Sequence, residues 1–309
     1  MTAGAALLRG GGPALAEGSV YERLRRRPDV PFDAEVGTGA LVQDDVFRDV
    51  LAEVHRGYLR VALEVGLPML LQTDTWRATG PRIAASRWRG EDLNAANVEL
   101  VRAVAEEGRR AGGTVLVGGL LGPAGDAYDP TAALPREVAR AYHAPQAEAL
   151  AAGPVDLLVC ATMPALSEAL GLADAMAATA LPYLVSFVVR PTGRLLDGTP
   201  LAEAVATIDE AADPAPLGYL LNCVHPRVAD AALATSPPAG GRVLGLLANT
   251  SARDPDELDG LAELETAEPE PFARELVAVG RRRGLGLLGG CCGTGEEHIA
   301  ALARLLSEA

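Results

Sequence analysis

The sequence predicts a single (β/α)8 barrel, on three observations. Short apolar or β-branched runs bounded by turn residues recur eight times, and segments with helical spacing alternate with them. Eight such units in about 280 residues match the size of that barrel, whereas a doubly wound sheet would show fewer strands and a phosphate fingerprint after the first.

Taken in order, the first strand is expected near Pro31-Phe32, followed by a helix over Val46–Val65. Met69–Gln72 is the second strand and Asn94–Ala111 its helix; Thr114–Gly118 and Pro135–Ala152 form the third unit. Val155–Cys160 with Leu166–Ala178, Tyr183–Val189 with Leu201–Ala211, and Gly218–Asn222 with Pro226–Ala234 supply the next three. Val243–Leu247 is the seventh strand, separated by a proline-rich acidic loop over Ser251–Pro271 from a helix over Pro271–Arg283. Gly286–Leu288 and Glu296–Leu306 close the series. Residues 1–28 contain a Gly/Pro cluster and are expected to form a frayed or irregular N-terminal arm, leaving 29–309 as the barrel domain.

Composition narrows the chemistry. All 27 basic residues are arginine, so Schiff-base catalysis and the Walker A phosphate loop, which both need lysine, are excluded. A net charge of −14 argues against nucleic acid as a partner and favours cationic small molecules. No apolar run approaches the roughly 18 residues of a membrane span, so no membrane partner is expected. Four cysteines in 309 residues are too few for a disulfide scaffold, which points to a reducing cytoplasm. Homo-oligomerisation is left open.

Reacting groups of a barrel sit at the C-terminal ends of its strands, here Asp33, Thr73, Gly119, Ala161, Arg190, Cys223, Asn249 and Cys291. Two of the eight are cysteines, and the second opens a Cys291-Cys292 pair inside LLGGCCGTG. Strands six and eight lie close on the rim, so three thiols can converge, with neighbouring glycines allowing a tight loop. A three-thiolate zinc site with one open position is the functional reading; core packing of small apolar cysteines is the competing one. Cys160, with no second ligand near it, is assigned to the core. Gly293-Thr294-Gly295 could hold a phosphate at a helix start, but Glu296 and Glu297 would repel it. His55, His143 and His298 fall on expected helices as satisfied or surface side chains, and His225 is weighed as a support for Cys223.

With GGCCGT and Asn222-Cys223-Val224-His225-Pro226 assembled, the chain resembles the zinc-dependent homocysteine S-methyltransferase family from about Phe32 to Leu306. Asp33 with Gly37-Thr38, and Thr73-Asp74-Thr75-Trp76 in place of Thr-Asn-Thr-aromatic, extend the resemblance, as do Gly122-Pro123, Ser186-Phe187, Leu196-Asp197-Gly198 and Asn249. It implies Zn2+ on Cys223, Cys291 and Cys292, a thiol acceptor in the fourth position, and Asp33, Gly37, Thr38, Thr73 and Asn249 around the substrate; Glu35 joins these candidates as a carboxylate that the family lacks. A thiol of pKa about 8.5 is mostly protonated at neutral pH, and zinc removes that proton. The donor then needs an electrophilic methyl on a group that leaves neutral: a sulfonium or quaternary ammonium compound, with Trp76 or Tyr58 offering a ring face to its charge.

The family's glutamate after strand four, which binds the amino group of homocysteine, is Ala161 here, and its Asp-Gly-Gly after strand one reads Asp33-Ala34-Glu35. Either Glu35 replaces the lost carboxylate, or the acceptor is a different thiol, or the enzyme runs as a demethylase. A non-catalytic zinc-binding protein is the remaining reading, opposed by the retention of Asp33, Thr38 and Asn249.

Overall fold

The computed structural model describes residues 3–10, 12–253 and 266–308. Eight parallel strands close into a barrel in the order β1-β10-β9-β8-β5-β4-β3-β2. They are β1 (Ala14–Ala16), β2 (Met69–Gln72), β3 (Val115–Leu121), β4 (Leu157–Met163), β5 (Tyr183–Phe187), β8 (Gly218–Asn222), β9 (Val243–Ala248) and β10 (Leu287–Gly290). A two-stranded hairpin, β6 (Val189–Arg190) and β7 (Arg194–Leu195), stands apart from it.

The helices outside the sheet are α3 (Asp45–Val65), α5 (Leu93–Arg110), α6 (Arg136–Ala152), α7 (Leu166–Ala177), α8 (Leu201–Ala211), α9 (Pro226–Thr235), α10 (Pro269–Arg283) and α11 (Glu296–Ser307). Short helices α1 (Ala3–Arg9), α2 (Tyr21–Arg25) and α4 (Gly80–Ala85) join them among the described residues. Their ends follow the local sequence. Asp44 caps α3 by accepting from the amides of Val46 and Phe47, and Gly66 ends it at φ 69°, a left-handed conformation that glycine adopts without a Cβ clash.

Two expectations are corrected. The first strand is Ala14–Ala16, not the segment near Pro31-Phe32, and it pairs with β10 on one side and β2 on the other. Residues 14–16 therefore close the barrel instead of forming part of an irregular arm. A three-residue strand buried on both faces has no polar alternation, so periodicity gives no signal for it. Pro269 and Pro271 belong to the first turn of α10, where proline costs no hydrogen bond, so the long loop ends earlier than expected. Residues 254–265 of that loop lie outside the described residues.

Alternation along each strand produces two apolar clusters. One face, with Leu15, Leu71, Val117, Leu158, Tyr219 and Leu288, packs against the helices. The other fills the barrel with Ala16, Leu70, Leu116, Val159, Leu184, Leu220 and Leu287, and Ala5 and Leu8 of α1 join that interior cluster. Two residues further along the same inward-facing rows come Gln72, Ala161 and Asn222, which line a cavity. The apolar filling is thus the floor on which the site is built.

Candidate active site

At the C-terminal mouth lies a cavity of about 530 Å3 lined by all three rim cysteines together with Thr38, Thr73, Ala161 and Asn249. The sulfur ligand atoms of Cys223, Cys291 and Cys292 lie within 4.8 Å of one another. Cys223 and Cys292 have their Sγ atoms 3.9 Å apart, while Cys223 and Cys291 are joined in a disulfide. The sequence reading had these thiols free. The same convergence that builds a ligand set also brings two sulfurs within bonding reach, so the three-thiolate set requires that bond to be reduced.

Backbone hydrogen bonds hold the cysteines. The amide of Cys223 donates to the Leu247 carbonyl (3.1 Å) and that of Cys291 to the Ala248 carbonyl (2.7 Å), so β9 fixes both. Asn249 Nδ2 donates to the Cys223 carbonyl (3.2 Å), and its own amide donates to Val224 (3.1 Å). Cys223 has φ 54°, a sparsely populated conformation for a residue with a Cβ, and these contacts keep it there. Glycine is required beside them: a Cβ on Gly290 would come within 2.1 Å of Thr294 Oγ1. Thr294 Oγ1 donates to the Cys291 carbonyl (2.6 Å) and accepts from the Ser19 amide (3.2 Å), tying the cysteine loop to the end of β1.

The acidic part of the site escaped the sequence reading. Glu17, the residue after β1, and Asp74, just past β2, line the cavity, and His55 of α3 lies between them. His55 Nδ1 is 2.8 Å from Glu17 Oε1 and its Nε2 is 2.8 Å from Asp74 Oδ2. Two carboxylate acceptors on one ring call for both N–H groups, the imidazolium form. Burial pushes its pKa down, but the two carboxylates overcome this and raise it to about 10. Burial raises Glu17, partly offset by His55 and by the Gln72 amide that donates to it. Glu17 was hidden in a segment read as an arm; His55 was read as a satisfied helix histidine, and satisfied it is, by two site carboxylates.

The other expected residues divide cleanly. Thr38 lines the cavity and donates to Asp74 Oδ1 (3.3 Å). Thr73 also lines it, accepting from the Leu120 amide (2.9 Å). Asp33, Glu35 and Gly37 do not reach the lining. Asp33 caps its own turn by accepting from the amides of Glu35 and Val36, and Gly37, at φ 58°, precedes a 3-10 turn. Glu35 has a side chain 46% exposed and sits 3.9 Å from Arg82. The residues after β1 are Glu17-Gly18-Ser19, which removes the basis for assigning Asp33 the place after strand one. Tyr58 is buried in the core with its hydroxyl donating to the Ser19 carbonyl, whereas Trp76 lines the cavity and donates its indole N–H to the Ala161 carbonyl (3.3 Å). His225 caps α9, accepting from the Arg227 amide, and Cys160 is buried beneath the sheet.

The fold and site are thus those of a closed barrel with three convergent sulfurs and a charged cavity at its C-terminal mouth. The model of the homocysteine S-methyltransferase family matches residues 14–306, from the first residue of β1 to the last helix. The chain is 31% identical over 310 residues to the homocysteine S-methyltransferase of Escherichia coli, covering 93% of each. It is 27% identical over 167 residues to homocysteine S-methyltransferase YbgG of Bacillus subtilis. The metallated form of the homocysteine methyltransferase MmuM from Escherichia coli superposes with a TM-score of 0.76 at 26% identity, over 97% of this chain and 98% of that one. Its oxidized form gives 0.76 at 27%, over 95% and 96%. The chain belongs to the homocysteine S-methyltransferase family. No helix among the described residues is long and apolar enough to cross a membrane.

Proposed function

We propose that this chain transfers a methyl group from a sulfonium or quaternary ammonium donor, of the S-methylmethionine, S-adenosylmethionine or betaine type, to the thiol of homocysteine, with Zn2+ held by Cys223, Cys291 and Cys292. The observation that carries it is the convergence of three sulfurs on one cavity wall. The donor set fits the ion: thiolates at about 2.3 Å from tetrahedral zinc stand about 3.8 Å apart, and Cys223 and Cys292 are at 3.9 Å. Desolvation pushes the Cys292 thiol up to about 12, so without a cation this ligand is a neutral thiol. Bound zinc supplies the thiolate form of the acceptor at neutral pH.

The chain's own residues do the rest. Glu17 and Asp74, bridged by the His55 imidazolium, make an acidic side of the cavity, which suits the ammonium of an amino acid and a cationic donor. Glu17 is tied to the metal loop, since its carbonyl accepts from the amide of Gly290, next to Cys291. Trp76 offers an aromatic face in the same cavity for the positive methyl group. A second reading, another thiol acceptor or net demethylation on the same scaffold, is favoured by Ala161, which lines the cavity without a charge.

The test is metal analysis of anaerobically reduced protein followed by methyl transfer to homocysteine from each donor class. One equivalent of zinc with turnover supports the proposal; zinc with turnover only on another thiol supports the second reading; protein that binds no zinc overturns both.

A further inference from the structure

Arg77 and Arg82 line the cavity on the segment that follows β2, three and eight residues after Asp74. Outside the cavity, Arg136 holds Asp174 and Arg242 holds Asp209, each through two hydrogen bonds. Of the four arginines that line the cavity, Arg25 and Arg26 pair with Glu22, whereas Arg77 and Arg82 hold no carboxylate through a hydrogen bond. Arg77 makes no ion pair among the described residues, and its Nε donates only to the Glu35 carbonyl (3.3 Å). Arg82 donates to the Ala124 carbonyl (2.9 Å), its side chain is 17% exposed, its buried Nε has no partner, and its nearest carboxylate is Glu35 at 3.9 Å. Burial pulls the Arg77 pKa down, and the neighbouring charge of Arg82 pulls it further. Two like charges facing one cavity, with 41 acidic residues available in the chain to neutralise them, describe a place kept for an anion that arrives from solution.

We infer that Arg77 and Arg82 form a carboxylate-binding pair in the cavity wall, so that this enzyme recognises a substrate by the free carboxylate of an amino acid. The inference rests on the methyltransferase reading above and names the substrate class of that same site. The planar guanidinium fork matches a carboxylate in two hydrogen bonds. Glu35 and Asp126 lie close enough to act on Arg77, and this residual negative charge suits a monoanion over a phosphate dianion. Asp74 and Arg77 thus give the cavity an acidic and a basic side, the polarity of a zwitterion.

The carboxylate can belong to the donor or to the acceptor, and matched substrates separate the two. Reduced, zinc-loaded wild type, Arg77→Gln and Arg82→Gln are assayed with S-methylmethionine against (3-aminopropyl)dimethylsulfonium, and with homocysteine against 3-aminopropanethiol. Losing a charge-assisted contact raises KM for the carboxylated member of one pair by about tenfold or more, while its decarboxylated counterpart shifts by less than about twofold. The pair that responds identifies the substrate held. Equal loss on both members, or no loss on either, overturns the inference. Calorimetric titration with methionine and 3-(methylthio)propylamine reads the same site without turnover. If wild type prefers methionine and Arg77→Gln abolishes that preference while no methyl is transferred, the carboxylate site stands and the proposed reaction falls. If methyl is transferred and the preference survives in both variants, the reaction stands and the arginine pair falls.

Discussion

The Asn222 carboxamide closes on Thr162 from both sides: its Oδ1 accepts from the Thr162 amide (2.9 Å) and its Nδ2 donates to Thr162 Oγ1 (2.8 Å). Asn222 Oδ1 also accepts from Ser186 Oγ (2.6 Å), so one side chain on β8 joins β4 and β5. Thr162 stands at φ 65° between Ala161 and Met163, and Asn222 immediately precedes Cys223. One residue therefore links the β4 wall of the cavity to the strand end that carries the first thiol.

Replacing Asn222 by alanine leaves the Thr162 amide and the Ser186 hydroxyl buried without partners. The expected loss is about 1–3 kcal/mol of stability, read as a lower urea midpoint, together with reduced methyl transfer. Asn222→Asp, which keeps the acceptor and loses the donor, is expected to fall between wild type and alanine.

Thiol titration distinguishes the redox forms. Denatured oxidised protein should react at two thiols, Cys160 and Cys292, because Cys223 and Cys291 are bridged. Prior reduction should raise the count to four, the number of cysteines in the chain. Zinc uptake should require reduction and be lost in Cys223→Ser, measured by atomic emission on anaerobic samples.

His55 should remain an imidazolium well into alkaline solution. Its folded pKa of about 10 lies above the ordinary 6.5, so its contribution is fully present below pH 6.5 and is lost as pH rises through about 10. The stability difference between wild type and His55→Gln should shrink over that window, and the ring 15N shifts should report a single alkaline titration.

Glu168 organises the cavity wall from α7. It accepts from the amides of Ala124 (2.7 Å) and Leu134 (3.2 Å) and pairs with His143 Nε2 (2.9 Å), gripping both ends of the segment that carries Asp126 and Tyr128. Glutamine has one acceptor oxygen where two are used, so Glu168→Gln should cost about 1–3 kcal/mol. Hydrogen exchange over residues 124–134 should accelerate, and KM should rise more than kcat falls.

Ala161→Glu tests what the cavity lacks. A carboxylate at this position would add a partner for an ammonium group, and homocysteine should bind about tenfold more tightly. The gain should vanish with a thiol that has no amino group; an equal gain with both thiols would show that the new charge acts without contacting the ammonium.

Much of this molecule was legible in the sequence. Met69–Gln72 and Gly218–Asn222 carry their strand character in short apolar runs between turn residues, and Leu201–Ala211 carries its helix in local spacing. The thiols were legible because Cys223 and Cys291 each sit directly after a strand, with Cys292 next to Cys291, and a parallel barrel sends every strand end to one face. The first strand was not, because Ala14–Ala16 is recognisable only by its pairing with segments more than 50 residues and more than 270 residues away. Moving that strand moved its consequences: Glu17 entered the site, and Asp33 and Glu35 left it. The pairing of His55 with Glu17 and Asp74, the disulfide between Cys223 and Cys291, and the placing of Arg77 and Arg82 on the cavity wall were likewise decided by tertiary structure. Periodicity reports which face of a segment avoids water, whereas which side chains meet across a cavity depends on how the strands close around it.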